Sequence, residues 1–375
     1  MRRRSRRRPS ALWRLGPLVL AVGATVAACD PTPDVAVIAL HGVPPDAAYL
    51  ATIADSLEAL PHPVRVEVFN PGLDPLDTYG SALRAAEGVV ALEGLVGVVG
   101  HRDSRSTLVV GPIYRDAGIP LVVPNATSTA IADLGPGVFR LVPDDREQGA
   151  FLASAITEMG AGTLMIFHVG DEYGVGIRDG LLAALPPEVD VLKVVEYGTR
   201  RFGCPEAFQP LVDAALLAGA PDVVVLASRP PDAGCIIRLV QEKVPTVRFL
   251  GADGVEPNPG FRNNTAGVTA ELRTVRFWAD AANPRIPSFR AGFESATGGW
   301  WDDGVPLRID GIGILTEAVN AVGSDPDDVR GWLAGLGTRH PAYQGLTGPI
   351  SFAGDATRPL YLVEIRVGGG AEEPE

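Results

Sequence analysis

Residues 97–149 read GVVGHRDSRSTLVVGPIYRDAGIPLVVPNATSTAIADLGPGVFRLVPDDREQG, two strand-to-helix units in succession that each end in a hydroxyl-bearing loop. The apolar run Leu95 to Val99 stops at Gly100, and Ser104 stands where a helix of mixed polarity over 106–117 begins. Gly118 closes that helix. A second apolar run, Ile119 to Val123, stops at Pro124, and Asn125, Ala126, Thr127 and Ser128 lead into a short helical pattern over 129–134. Both polar clusters therefore fall at the carboxyl ends of neighbouring parallel strands, the edge at which open α/β sheets bind ligands. Free backbone N–H groups at a helix start favour an anion, and a Ser or Thr hydroxyl adds a donor.

The same alternation runs through the chain. Strands are expected over 35–40, 64–69, 95–99 and 119–123, with helices over 46–60, 77–92 and 106–117 between them. It restarts with strand 164–168, helix 174–185, strand 189–197, helix 205–218, strand 223–227, helix 233–242 and strand 247–251. Such βαβ succession implies parallel sheets with helices on both faces, laid down twice. A chain of 375 residues with 46% hydrophobic residues, 44 Gly and 33 Pro is long enough and turn-rich enough for two such units.

Order and spacing resemble the leucine/isoleucine/valine-binding family of type I periplasmic binding proteins. The matching blocks are Gly100, His101 and Ser104; Pro112, Ile113, Tyr114, Gly118, Ile119 and Pro120; Pro124, Ala126 and Thr127; and Phe139, Arg140, Pro143, Asp145, Gln148 and Gly149. Later blocks agree at residues 173–176, 221–224, 249–254 and 348–352, so the resemblance covers about residues 89–367. It implies an α/β fold of two doubly wound parallel-sheet lobes joined by a hinge that the chain crosses three times. The first lobe is expected over 35–141 and 273–342, the second over 142–272 and 343–370, and a tail over 371–375. The crossings are placed near residues 141–143, 271–273 and 343–347, with 307–322 a first-lobe helix near the hinge and 350–365 returning to the second lobe.

Carried over position by position, the family's ligand contacts fall on Ser104, Asn125, Ala126 and Thr127 in the first lobe and on Tyr173 and Asp253 in the second. Hydroxyls with main-chain N–H groups suit an α-carboxylate, Asp253 suits an α-ammonium, and Tyr173 would cover the ligand. Taken alone, Ser104 and Thr127 read first as helix caps, and Asp253 as part of an Asp-Gly turn; the resemblance reverses that preference. Asp103 joins the candidates beside Ser104. Two stretches depart from the family: His41-Gly42-Val43-Pro44-Pro45-Asp46 replaces a glycine-rich first loop, and Arg229-Pro230-Pro231 follows strand 223–227. Arg229 reads either as a reader of a second carboxylate or polar tail, or as a solvated loop residue.

The first 28 residues read as an export leader, with seven arginines ahead of the apolar stretch Leu15 to Ala28. They end in Val26-Ala27-Ala28-Cys29, which resembles the lipobox of bacterial lipoproteins, so Cys29 is the expected lipidation site and 29–34 a tether. Loss of that leader from a chain with 32 basic and 45 acidic residues leaves a formal charge near −20, which excludes nucleic acid as a partner. The remaining cysteines, Cys204 and Cys235, follow strands of the second lobe; a disulfide and two separate buried thiols are both open.

Enzyme motifs are missing. There is no G-x-S-x-G elbow, H-E-x-x-H pair or P-loop, and the five histidines do not fall at metal-ligand spacing. Residues 174–180 imitate a dinucleotide fingerprint but lack its third glycine, and turn-plus-helix packing accounts for them. The expected protein is a monomeric, lipid-anchored binding protein without cofactor or metal, exported to the periplasm or cell exterior. It would capture an amino acid, an amide or a similar solute for an ABC permease and its ATPase. A sensory receptor of the same fold is the alternative, and a hydrolase on an unfamiliar α/β scaffold a distant third.

Overall fold

The computed structural model describes residues 35–70, 78–198, 204, 206–299, 301–352 and 358–368. The leader, the tether with Cys29 and the 371–375 tail lie outside these residues. β1 (Ala36–His41), β2 (Val64–Phe69), β3 (Leu95–Val99), β4 (Leu121–Val123) and β5 (Val138–Arg140) form one sheet in the order β2-β1-β3-β4-β5, every pair parallel. Its crossovers are α1 (Pro44–Glu58), α2 (Thr78–Val90) and α3 (Ser104–Asp116), with a 3₁₀ turn at Thr129–Leu134 before β5. Successive side chains on a strand point to opposite faces. Ile38, Leu40 and Val122 accordingly enter one core, and Ala39, Leu121 and Val123 another on the opposite face. That two-sided burial is why these strands read as continuous apolar runs.

The second sheet follows α4 (Asp145–Glu158). It takes up β6 (Thr163–Val169), α5 (Glu172–Ala184), β7 (Asp190–Tyr197), α6 (Gln209–Leu216), β8 (Val223–Ala227), α7 (Pro230–Lys243), β9 (Arg248–Gly251), α8 (Pro259–Thr265) and β10 (Glu271–Arg276). The chain then returns to the first sheet through α9 (Arg285–Thr297), α10 (Val305–Val322) and α11 (Pro326–Leu333). After the hairpin β11 (Tyr343–Gly345) and β12 (Gly348–Ile350), it ends in β13 (Tyr361–Arg366). The second sheet runs β13-β10-β9-β8-β6-β7, parallel throughout except that β13 lies antiparallel on β10. It is therefore a mixed sheet with one antiparallel edge strand, not a purely parallel one.

Two passages between lobes differ from expectation. Glu271–Arg276 pairs with β13 along its whole length, so residues 273–276 belong to the second lobe, and Phe277 and Trp278 are the first to enter the first-lobe core. The 343–350 hairpin packs on the first lobe, with Ile350 in that core, so the last passage lies between Phe352 and Tyr361 rather than at 343–347. Backbone pairing decides the first and side-chain packing the second, and short strands at a hinge carry too little periodicity to reveal either. Arg358 laces two passages together, donating to the carbonyls of Leu141 (2.7 Å) and Thr347 (2.6 Å). Asp310 accepts from the Leu346 and Thr347 N–H groups at 2.6 and 2.9 Å.

Cys204 and Cys235 form a disulfide, with Cα atoms 5.6 Å apart, across a sequence separation of 31. Closing a loop of that size stabilises a fold by roughly 3 kcal/mol. Among the described residues no helix is long and apolar enough to cross a membrane, and no group of three His, Cys, Asp or Glu side chains could hold a metal.

Candidate functional site

Asp103 caps α3, its Oδ1 accepting from the Ser106 N–H at 2.9 Å, and Ser128 caps the 3₁₀ turn by accepting from the Ala130 N–H at 3.3 Å. Capping thus belongs to the residues beside Ser104 and Thr127, which leaves those two hydroxyls for other work. Ser104 is buried, and its Oγ accepts from the N–H groups of Thr127 (3.3 Å) and Ser128 (3.1 Å), joining the loop after β3 to the loop after β4. Ala126 and Thr127 are buried and Asn125 half-buried at the same joint. The Thr127 carbonyl accepts from the Asp145 N–H at 2.9 Å, so the joint adjoins the start of α4 in the second lobe.

The facing edge is acidic. Asp253 and Gly254 are the central residues of a turn closed by the Val255 N–H donating to the Ala252 carbonyl at 3.0 Å, so the turn and an inward carboxyl coexist. Tyr173 lies in α5 with 4% of its surface exposed, and its hydroxyl accepts from the Gly254 N–H at 2.9 Å. A Cβ at position 254 would lie 2.7 Å from that hydroxyl, which is why glycine stands there. Tyr173 is therefore packed into the second lobe rather than free as a cover. Asp253 Oδ1 is buried without a hydrogen-bond partner, and burial pushes its pKa up against the opposing pull of Tyr173 and Gln148.

Asp145 enters the site although sequence reasoning carried it only as a motif match. It is fully buried, and neither carboxylate oxygen has a hydrogen-bond partner among the described residues. Burial pushes it up to about 8, eased by Thr127 and reinforced by Asp253 and Asp144. Its oxygen lies so close to Gly176 of α5 that a Cβ there would sit 2.4 Å away. The signal was legible: Asp144 and Glu147 already form the capping box of α4, so a second acid directly behind the cap has no capping duty.

Arg229 is half-buried and engaged rather than freely solvated. It donates to Asp171 at 2.8 Å and lies over the Tyr173 ring, 5.1 Å from its centroid. Burial works against its charge, but Asp171 and then Asp103 of the first lobe more than offset this, holding its pKa above the usual guanidinium value. Arg105 and Glu172 also meet across the cleft at 3.6 Å.

A cavity of about 230 Å³ opens beside this joint at the carboxyl edge of β1 and β3, the point where the strand order of the first sheet reverses. His41, Asp46, His101, Asp103, Asn125 and Arg308 are among its walls. Asp103 and Asn125 thus line the cavity, and Ser104, Ala126 and Thr127 form the loop joint. Tyr173 and Asp253 stand on the opposite edge, outside the cavity wall. The joint, where buried carboxyls of one lobe approach hydroxyls and N–H groups of the other, is the chemically distinctive place, and the cavity is its extension into the first lobe.

Two α/β lobes with hydroxyl and carboxyl groups at their facing strand ends are the architecture of a solute-binding protein. The periplasmic binding protein family's sequence profile matches residues 53–371, and the chain belongs to that family. An amino acid binding protein of Pseudomonas aeruginosa is 31% identical over 258 residues, 67% of each chain. A Leu/Ile/Val-binding protein homolog 2 of Brucella abortus is 25% identical over 291 residues, 74% of this chain and 73% of the relative. The fold matches a leucine binding protein LivK from Thermotoga maritima with a TM-score of 0.75 at 19% identity, covering 89% of this chain and 97% of that one. These relatives are binding proteins, not enzymes.

Proposed function

We propose that this chain captures an α-amino acid between its lobes and delivers it to an ABC importer, as an exported lipoprotein tethered through Cys29. The observation that carries the reading is the meeting of opposite chemistries at the loop joint. Ser104 and Thr127 offer hydroxyl donors to a carboxylate, while buried Asp145 has neither oxygen partnered and half-buried Asp253 has one buried oxygen, Oδ1, that lacks a partner. Buried polar groups are normally paired, and an ammonium inserted between these acids supplies the missing donors. Hinge closure around a ligand is the general behaviour of periplasmic binding proteins, and Arg105 with Glu172 and Arg229 with Asp103 are placed to favour the closed form.

Calorimetric titration of the purified protein against a panel of amino acids, amides and short peptides tests the reading. At least one free α-amino acid should bind, and its amide and its deaminated analogue should bind far more weakly; silence across the panel would remove the reading. Cys29→Ser should abolish incorporation of labelled fatty acid and release the protein from the membrane fraction, and unchanged labelling would overturn the anchor.

A further inference from the structure

The wall of the first-lobe cavity is largely apolar, and the charged groups set into it are largely matched before any ligand arrives. Arg308 is held between Asp46 (3.1 Å) and Asp302 (3.2 Å), and Asp46 also accepts from the Val43 N–H at 2.9 Å. What remains for a guest is a set of neutral groups and one free carboxylate oxygen, donors and acceptors together. His41 Nδ1 accepts from the Arg102 N–H at 3.1 Å, so its ring proton sits on Nε2 and that edge is a donor. Burial holds His41 down at about 4 and His101 well below its ordinary value, so neither ring offers a cation to a carboxylate.

His101 is fully buried, spends Nε2 on the Tyr114 hydroxyl at 3.0 Å, and leaves Nδ1 without a partner. Asp103 spends Oδ1 on the cap of α3, which leaves Oδ2 as an acceptor, and Asn125 adds a carboxamide of its own. A branched aliphatic chain would bury these groups unpaired. An acidic tail would meet the free oxygen of Asp103, and a cationic one the side chain of Arg102 in the same wall. A carboxamide carries an acceptor for the His41 edge and donors for Asp103.

We propose that this cavity receives the side chain of the bound amino acid and selects a neutral carboxamide, the group of glutamine and asparagine, over branched aliphatic chains. The inference rests on the amino-acid reading above. Sites built to hydrogen-bond a polar group reject analogues lacking it far more strongly than apolar pockets reject an extra methylene.

Titration of the unaltered protein with glutamine, asparagine, alanine, leucine, glutamate and lysine decides the matter. Glutamine or asparagine should bind at least tenfold tighter than leucine, glutamate or lysine. Asn125→Leu and His41→Phe, each checked by thermal melting, should cut that affinity tenfold or more and narrow the margin over leucine. Leucine, glutamate or lysine binding as tightly as the carboxamides would overturn the inference and leave the amino-acid reading standing, as would folded variants that both keep glutamine affinity within twofold. If nothing in the panel binds, alanine included, the underlying reading falls and this inference with it.

Discussion

The two edges that face each other across the cleft are finished to different degrees. On the first lobe the groups of the loop joint are largely engaged: Ser104 accepts from two N–H groups, Asp103 and Ser128 cap their helices, and Arg308 is paired on both sides. On the second lobe Asp145 is buried with neither oxygen partnered, and half-buried Asp253 has one buried oxygen, Oδ1, without a partner. A third acid there, Glu256, is pushed up to about 8 by burial and by Asp303 and Asp302. Order on one side and unmet demand on the other is the arrangement expected of a receptor whose ligand supplies the missing charge, since buried carboxyls without partners are costly.

The largest effect should come from the demanding side. Asp253→Ala leaves an ammonium without one of its acids, and loss of a desolvated charge-assisted bond typically costs about 2–5 kcal/mol, or about 30-fold and more in affinity. Calorimetry of that variant with the best ligand of the panel measures it, and parental affinity would break the contrast between the edges.

Asp145 makes the same contrast visible without ligand. A carboxyl raised from 3.8 to about 8 contributes its full stabilisation below the unfolded value, and that contribution drains away as pH rises from there toward 8, because the unfolded chain gives up a proton that the folded one keeps. Asp145→Asn has no such proton to lose. Its stability relative to the parent should therefore rise by roughly 2–3 kcal/mol between about pH 5 and pH 7.5. Denaturant titrations at the two pH values read this directly, and a difference independent of pH would mean that Asp145 is ionised in the folded protein.

On the satisfied side the effects should be smaller. Thr127→Ala removes a single hydroxyl and should weaken binding by about 1 kcal/mol. Because Ser128, not Thr127, caps the 3₁₀ turn, the melting temperature should scarcely move. A drop of several degrees with affinity unchanged would return Thr127 to a purely structural role.

Much of the frame was legible in the chain itself. The strands expected at 64–69, 95–99 and 223–227 coincide with the observed ones to the residue; the last two are apolar throughout because both faces are buried, whereas 64–69 alternates apolar and charged residues at the sheet edge. The two hydroxyl loops after β3 and β4 follow from that alternation, since parallel strands place successive loops at one edge. Local pattern also located Asp253 in its turn.

Contacts between distant segments lay beyond it. The two lobe passages, the pairing of Cys204 with Cys235, the engagement of Arg229 by Asp171 and the unpartnered state of Asp145 each depend on which residues meet in space. His41 and His101, sixty positions apart in the chain, stand with ring centroids 5.0 Å apart beside one cavity. Periodicity and turn chemistry act over a few residues and so fix elements and their faces. Burial, ion pairing and the state of a proton are set by neighbours from elsewhere in the chain, and only the packed lobes bring those neighbours together.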